Sequence, residues 1–307
     1  MSTGYFTHPD CARHDMGQFH PECPERLAAI ADAMLASGLL DVVDAREAAV
    51  ATQEQLLRAH TADHVASLAQ LAALGRDYIA LDPDTILARH SYSAALHAAG
   101  ACVNAVDAIM ARELRNAFCA VRPPGHHAVR GKAMGFCFFN NIAVAARHAL
   151  DVHRLKRVTV IDFDVHHGNG TEDIFAGDER VQMLSFFQHP FYPFSGADRP
   201  AQNMHNTPLP AYTRGAEVRE LVDQQWLPKL FEFRPQMIFI SAGFDAHRDD
   251  DLGQMGLVEA DYAWMTEQIM AVAEDVAHSR IVSSLEGGYN LPALAKSVVA
   301  HVRALTY

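Results

Sequence analysis

Short apolar runs alternate with longer amphipathic stretches along this chain. The apolar runs have the length and composition of buried strands, and they fall at 117–121, 158–161, 181–187, 237–241 and 281–285. The amphipathic stretches carry apolar residues at helical spacing, and they fall at 25–37, 53–74, 91–112, 140–152, 215–233, 259–278 and 291–305. This alternation predicts an α/β fold in which helices cover both faces of a parallel sheet.

Polar motifs follow four of the predicted strands directly. They are Arg122-Pro-Pro-Gly-His-His127, the segment from Asp162 to Gly170, Gly243-Phe-Asp245 and Glu286-Gly-Gly-Tyr-Asn290. Open parallel sheets bind their ligands outside the carboxyl ends of the strands. The four motifs are therefore expected to meet at one site.

The second motif has the spacing of a metal site. In an extended chain, Asp162, Asp164 and His166 point to the same side, so Asp164 and His166 can share an ion. Asp245 is expected to complete a set of three ligands with an open position, which suits catalytic zinc. Capping of a strand by paired carboxylates is the alternative, but buried charges are costly unless they are paired or bound to metal.

Two adjacent histidines supply a candidate general base. A metal with two carboxylate ligands acidifies water only weakly and needs a separate base. His126 and His127 follow a stiff Pro-Pro-Gly turn, and the expected partners that orient them are Asp162 for His126 and Asn169 for His127. Exposed histidines on a surface loop are the alternative interpretation.

Tyr289 is a candidate donor to a developing oxyanion. It lies between Gly287-Gly288 and Asn290, where the glycines allow backbone angles that bring a phenol close to a metal. A tyrosine in an ordinary turn would give the same short motif.

Composition and charge narrow the class of protein. A chain of 307 residues, half of them apolar, can build one large domain. A net charge of -12 without a Lys/Arg-rich run disfavours nucleic acid as a partner. The N-terminus lacks the pattern of a signal peptide, and no uncharged apolar stretch of about 18 residues occurs, so we expect a cytoplasmic protein without membrane contact.

The cysteines and the remaining histidines form no motif. The five cysteines are scattered and include no Cys-x-x-Cys pair, which predicts neither disulfides nor a thiolate metal site. Four histidines in helical segments are expected to form no second site: His60, His64, His97 and His148.

Taken together, the motifs resemble those of the zinc-dependent histone deacetylase family, specifically its class II and bacterial deacetylase-like amidohydrolase branch. The resemblance begins at His20-Pro-Glu-Cys-Pro-Glu-Arg-Leu27 and continues through the helix after Tyr289. It implies a single catalytic domain over residues 1–307 with the arginase-deacetylase fold. In that fold, an eight-stranded parallel sheet is flanked by helices, and long active-site loops surround a zinc ion at the base of a narrow tunnel.

The resemblance implies a role for each residue of the site. Asp164, His166 and Asp245 match the zinc ligands. His126 and His127 match the general base and acid pair, supported by Asp162 and Asn169, and Tyr289 matches the tyrosine that polarises the carbonyl. Class I enzymes carry aspartate in place of Asn169, so this residue fits class II.

Further matches concern a second ion and an internal cavity. The family binds a structural potassium ion beneath the zinc, which implies Asp162, Ser185 and the backbone of Asp164 and His166 as its ligands here. Arg26 matches an arginine that lines an internal cavity, although the residues alone show only the start of a helix.

The resemblance also implies an acyl-lysine tunnel. Phe136, with Gly135 before it, matches one aromatic wall. Tyr192 is expected to be the other wall, with neighbours in the segment 191–194 as alternatives. Asp84 falls where the family holds the substrate backbone at the rim, or it caps the helix that begins at Ser91.

Two substrate classes present the same amide on an aliphatic stem: an acetylated lysine in a peptide or protein, and a small acetylated amine such as a polyamine. The gate position, seven residues after Asp245, is Leu252 rather than the glutamate of a polyamine-selective relative, which favours acyl-lysine. Glu22, Asp84 and the acidic run 249–251 would favour a cationic polyamine if they lie at the mouth.

Two other functions agree less well with the sequence. Asp245-Ala-His-Arg-Asp249 is similar to a ligand motif of two-manganese ureohydrolases, but no Ser-x-Asp-x-Asp partner motif follows it. A catalytically silent acyl-lysine binding module would be expected to lose Tyr289 or a histidine of the pair, and this chain keeps them. A homo-oligomer is compatible with the sequence.

Overall fold

The computed structural model describes residues 1–307, and its centre is an eight-stranded, wholly parallel sheet. The chain has ten strands in all: β1 Ser2–Thr7, β2 Asp44–Glu47, β3 Tyr78–Ala80, β4 Ile86–Ala88, β5 Leu114–Cys119, β6 Val158–Asp162, β7 Val181–Gln188, β8 Met204–Leu209, β9 Ile238–Ala242 and β10 Ile281–Leu285. Their order in the sheet is β2-β1-β5-β10-β9-β6-β7-β8, while β3 and β4 form a separate antiparallel hairpin.

Helices cover the sheet. They are α1 Pro9–Ala12, α2 Glu25–Ala36, α3 Gln53–Leu57, α4 Ala62–Ala73, α5 Ser91–Met110, α6 Asn141–Asp151, α7 Asn169–Phe175, α8 Gly215–Leu221, α9 Leu227–Phe233, α10 Glu259–Ala277 and α11 Leu291–Thr306. A short 3₁₀ turn covers Leu39–Asp41, and a π-helical turn, Val222–Trp226, joins α8 to α9. The predicted single-domain α/β fold with a parallel sheet is confirmed.

The order of the strands explains where the site lies. The four strands that precede the polar motifs, β5, β10, β9 and β6, are adjacent at the centre of the sheet. β6, β9 and β10 are buried along their whole length, as expected for strands with helices on both faces. Because all four run in the same direction, their motifs emerge side by side at one edge.

The predicted helix over 53–74 is two helices. Thr52 caps α3, since its side chain accepts a hydrogen bond from the Gln55 backbone N–H, and Thr61 caps α4 in the same way through His64. The second cap ends the first helix and starts another. Helix α7 was not predicted, because its residues were assigned to the metal motif alone.

One helix, α5, has the length and hydropathy of a membrane span. It packs within the domain, where 72% of its most apolar window is buried.

Candidate active site

Three side chains converge at the carboxyl ends of β6 and β9. The Nδ1 atom of His166 lies 3.1 Å from an Asp164 carboxylate oxygen and 3.2 Å from an Asp245 carboxylate oxygen. Candidate ligand atoms of all three residues lie within 4.8 Å of one another. Asp164 and Asp245 are buried, while His166 is partly exposed and faces the cavity described below. The structure therefore brings together the three predicted zinc ligands, with one side accessible.

The backbone fixes both carboxylates. Asp164 accepts hydrogen bonds from the N–H groups of His166 at 2.9 Å and Gly287 at 2.8 Å, and Asp245 accepts one from Val165 at 2.9 Å. A Cβ atom on Gly287 would collide with the carboxylates of both Asp164 and Asp245. The loop after β10 thus needs glycine at this position to approach the two acids.

The electrostatics of the cluster favour a bound cation. Burial, reinforced by the charge of Asp164, raises the pKa of Asp245 to about 7. Burial would lower the pKa of His166, but its hydrogen bonds to the two carboxylates outweigh that effect and raise it to about 9. One imidazole does not neutralise two buried carboxylates. A divalent ion bound by two aspartates and one histidine would supply the missing positive charge. The donor set fits zinc.

The histidine pair lies beside this cluster with the expected partners. Nδ1 of His126 is 3.0 Å from Asp162, and Nδ1 of His127 is 2.8 Å from the side-chain oxygen of Asn169. The two imidazole rings lie 4.0 Å apart between centroids. One histidine therefore has an acidic partner and the other a neutral amide.

These partners separate the two histidines electrostatically. Burial would lower the pKa of His126, but Asp164, Asp162 and Glu286 raise it well above its ordinary value. Burial, together with the charges of His126 and His166, lowers the pKa of His127 well below its ordinary value. The opposite shifts favour a protonated His126 and a neutral His127, which is the division of charge that acid–base catalysis uses.

Glu286 supports the histidine loop and was not singled out in the sequence. This buried carboxylate accepts hydrogen bonds from the backbone N–H of Gly125 at 2.6 Å and of His126 at 3.1 Å. Its burial raises its pKa to about 7. The only sequence signal was its position at the start of the Glu-Gly-Gly-Tyr-Asn motif.

Tyr289 faces the same cavity and is held from two sides. Its backbone N–H donates a 2.6 Å hydrogen bond to the carboxylate of Asp250. The guanidinium of Arg26 lies over its ring, 4.9 Å from the centroid, and donates to the Gly288 carbonyl at 2.6 Å. Burial raises the pKa of the phenol well above its usual range, so it stays protonated and able to donate.

A cavity of about 290 Å³ leads to the cluster. Its walls include every predicted substrate-binding residue, together with Phe191 and Asp251, which the sequence offered as alternatives, and Pro124, which it did not single out for this role. The predicted residues are Gly135, Phe136, Tyr192, Leu252 and Asp84. His126, His127, His166 and Tyr289 complete the lining.

Aromatic rings line the cavity close to the cluster of Asp164, His166 and Asp245. Tyr192 packs edge-on to His127, with 5.1 Å between ring centroids, and Phe136 packs edge-on to Tyr289 at 6.0 Å. Phe191 stacks on His166 at 5.3 Å, so both residues of the Phe191-Tyr192 pair contribute. Asp84 is not the helix cap, because His90 occupies that position before α5.

Glu22 does not lie at the mouth of the cavity. Its side chain is fully buried, binds Arg122 through two oxygens and lies 3.0 Å from Arg26. Burial alone would raise its pKa, but Arg122 and the other neighbouring groups hold it well below its usual range. Glu22 therefore anchors buried arginines and adds no charge to the mouth.

The acidic run 249–251 divides into three environments. Asp249 is exposed, Asp250 is buried, and Asp251 lines the cavity. His247, from the segment similar to a ureohydrolase motif, lies near Glu259 and Asp249 and does not join the Asp245 cluster.

Ser185 lies next to Asp162. The two residues are paired in register between β7 and β6, and both are buried. The two side chains that the resemblance implies as ligands of a second ion beneath the zinc are therefore adjacent.

Two of the four remaining histidines, His97 and His148, belong to clusters of titratable side chains. His148 and His153 each lie 2.7 Å from the same oxygen of Asp107, and His97 clusters with His8 and Asp10. The distances at Asp107 are those of hydrogen bonds. Arg58 donates to Nδ1 of His148, so the ring proton lies on Nε2, which faces Asp107 and is therefore not free to bind an ion. The rings of His8 and His97 stack in parallel at 3.4 Å, so their lone pairs do not converge on one ion.

Comparison with known proteins gives a consistent result. A family model described as histone deacetylase domain matches residues 20–305. A probable deacetylase of Archaeoglobus fulgidus is 34% identical, covering 95% of this chain and 82% of that protein. Polyamine deacetylase HDAC10 of Mus musculus is 36% identical over 92% of this chain, which spans 44% of the mouse protein. The crystal structure of the HDA15 HD domain superposes with a TM-score of 0.94 and 33% identity, covering 99% of this chain and 90% of that one.

Proposed function

Since this chain belongs to the histone deacetylase family, we propose that it is a zinc-dependent deacetylase that removes acyl groups from the ε-amine of lysine in peptides or proteins. The observation that carries the proposal is the position of the Asp164, His166 and Asp245 cluster beside an aromatic-lined cavity. Family membership supports deacetylation, and the local geometry supports the choice of metal and substrate.

Zinc would be held by Asp164, His166 and Asp245, and when bound it would polarise the acyl carbonyl and acidify water. Its three ligands would come from two neighbouring strand ends, and backbone N–H groups fix the two carboxylates. A structural potassium ion would be held by Asp162 and Ser185, which face each other in register, with the backbone of Asp164 and His166.

His127 is proposed as the general base. Burial lowers its pKa and favours the neutral form, which can accept a proton from the attacking water. His126 stays protonated beside Asp162, and its charge favours anionic species at the reacting centre. The proton taken up by His127 is then available to the leaving amine.

Tyr289 is proposed as the donor to the oxyanion. Its phenol lines the cavity with both histidines and remains protonated at neutral pH. A donor fixed in advance at the position of developing charge stabilises the tetrahedral state without reorganisation. The hydrogen bond from its backbone to Asp250 and the contact with Arg26 restrict its movement.

The cavity suits a narrow aliphatic stem. Aromatic rings from Phe136, Phe191 and Tyr192 line it, and its volume is about 290 Å³. Such walls pack against methylene groups and exclude water from the amide. An extended lysine side chain fits this shape, and Asp84 at the lining is available to bind the peptide backbone.

Acetylpolyamine hydrolysis is the second candidate function. Asp84 and Asp251 line the cavity, and no lysine or arginine does, so a second ammonium group would be attracted there. The relation to a mouse polyamine deacetylase supports the same candidate. Against it, the gate position holds Leu252, which offers no charge to pair with that ammonium.

A comparison of two substrates tests the proposal. The zinc-loaded enzyme should hydrolyse an acetyl-lysine peptide with a higher kcat/KM than an acetylated diamine, and a chelator should abolish both activities. A preference for the diamine would make acetylpolyamine hydrolysis the function. Binding of the peptide without hydrolysis of either substrate would instead indicate a silent binding module.

Leu252→Glu should move the preference toward the diamine. A carboxylate at the gate would pair with the distal ammonium of the diamine, whereas the peptide has no charge at that distance. The ratio of the two kcat/KM values should change by about tenfold, which corresponds to about 1.4 kcal/mol. Leu252→Gln provides a polar, uncharged control, and an equal change in that variant would rule out the charge as the cause.

A further inference from the structure

Asp250 is a buried carboxylate whose hydrogen bonds come from the backbone of two loops. One oxygen accepts from the N–H groups of Tyr289 at 2.6 Å and Asn290 at 3.0 Å. The other accepts from the N–H of Leu252 at 3.0 Å. Only 5% of the residue is exposed. Asp250 therefore links the loop after β9 to the loop after β10.

The chemistry of these bonds requires a carboxylate. All three partners are donors, and an ionised carboxylate offers acceptors on both of its oxygens. An asparagine would offer one acceptor oxygen and one NH₂ group, so one loop would face a donor instead of an acceptor. The backbone would have to shift to relieve that contact.

The two loops carry residues that act on different parts of the substrate. Both Tyr289 and Leu252 line the cavity; Tyr289 is the proposed donor to the oxyanion, and Leu252 holds the proposed gate position. Asp250 itself does not line the cavity. Its effect on the reaction would therefore pass through the residues whose backbone it holds.

We propose that Asp250 is a positioning residue. By holding the backbone of Tyr289, it fixes the position of the phenol relative to the proposed metal ligands, and by holding the backbone of Leu252 it fixes the position of the gate residue. This inference rests on the proposed function, since it assigns Tyr289 to the reaction. It predicts that the positions of Tyr289 and Leu252 depend on each other, because the carboxylate of Asp250 holds the backbone of both residues.

A double-mutant cycle with Tyr289→Phe tests the inference. In the wild-type background, Asp250→Asn should lower kcat on an acetyl-lysine peptide by on the order of 10²-fold, because a displacement of about 1 Å has an effect of that size. KM should change by less than about threefold. In the Tyr289→Phe background, the same substitution should lower kcat by less than about threefold, since its target is already gone.

Hydrogen–deuterium exchange gives a readout that does not depend on activity. In the zinc-loaded Asp250→Asn protein, the amides of Tyr289, Asn290 or Leu252 should exchange faster than in the wild type, while zinc content stays at one per chain. Asp249→Asn is the matched control, because Asp249 is the exposed neighbour in the same loop. It should leave kcat and exchange unchanged.

The outcomes are distinct. Equal losses of kcat from Asp250→Asn in both backgrounds, or unchanged exchange at the three amides, would overturn the positioning role while the proposed function stands. Hydrolysis of no substrate by the zinc-loaded wild type would overturn the function and this inference with it. If the asparagine variant does not fold, Asp250→Glu keeps the charge but moves the carboxylate by one methylene, and the same dependence on Tyr289 is expected.

Discussion

Asp245→Asn should remove bound zinc and lower deacetylation by at least about 10³-fold. The substitution keeps an oxygen for the hydrogen bond from the Val165 backbone, so the loop retains its local support. It replaces the oxygen beside Nδ1 of His166 with an NH₂ group, which cannot bind a cation. Loss of an ion that polarises the carbonyl and acidifies water costs several kcal/mol of transition-state stabilisation.

Zinc content and turnover should be measured on the same preparation. The expected result is less than about 0.1 zinc per chain, with secondary structure close to that of the wild type by circular dichroism. Asp275→Ala, an exposed position on α10, is the control for the loss of one acidic residue. Full activity in a zinc-free Asp245→Asn protein would refute the proposed metal site.

The position of the site could be predicted because it depends on topology. Four strands of a parallel sheet end at the same edge, and each motif is a short continuous segment that directly follows β5, β6, β9 or β10 in the sequence. Alternation along β6 and the residues after it was enough to place Asp164 and His166 on one side. The glycines of the loop after β10 marked a close approach, and Gly287 indeed lies against two carboxylates.

Edge strands were harder to predict than central ones. β2 is the polar segment Asp44–Glu47 at one edge, and β8 at the other edge includes Pro208. An edge strand has one neighbour and is partly exposed, so its sequence needs no continuous apolar run. The apolar pattern therefore showed the centre of the sheet and omitted both edge strands, together with β1, which lies next to β2.

The roles of buried polar residues could not be predicted, because partners distant in sequence determine them. Glu22 and Asp250 both belong to segments that appear solvent-exposed in the sequence. Their environments come from Arg122, 100 positions away from Glu22, and from Tyr289, 39 positions away from Asp250. No local spacing encodes such a contact, so a buried ion pair and a solvated acidic loop have the same sequence signature.

The division of charge within the histidine pair leads to the second large effect. The two histidines are adjacent in sequence, but the carboxylate of Asp162 faces one and the amide of Asn169 faces the other. The pKa of His126 is raised and that of His127 is lowered, so the two imidazoles are suited to different roles. Catalysis should depend on His127 more through its proton affinity than through its shape.

His127→Gln should lower kcat by about 10²- to 10⁴-fold, the usual contribution of a positioned general base. Because the pKa of His127 is lowered, its neutral, active form persists to acid pH, and the acid limb of wild-type kcat/KM should lie below the ordinary histidine pKa of about 6.5. The profile should be measured from about pH 5 to 9. His205→Gln, on β8 and outside the cavity, should leave the profile unchanged. An acid limb that persists in His127→Gln would assign the titrating base to another residue.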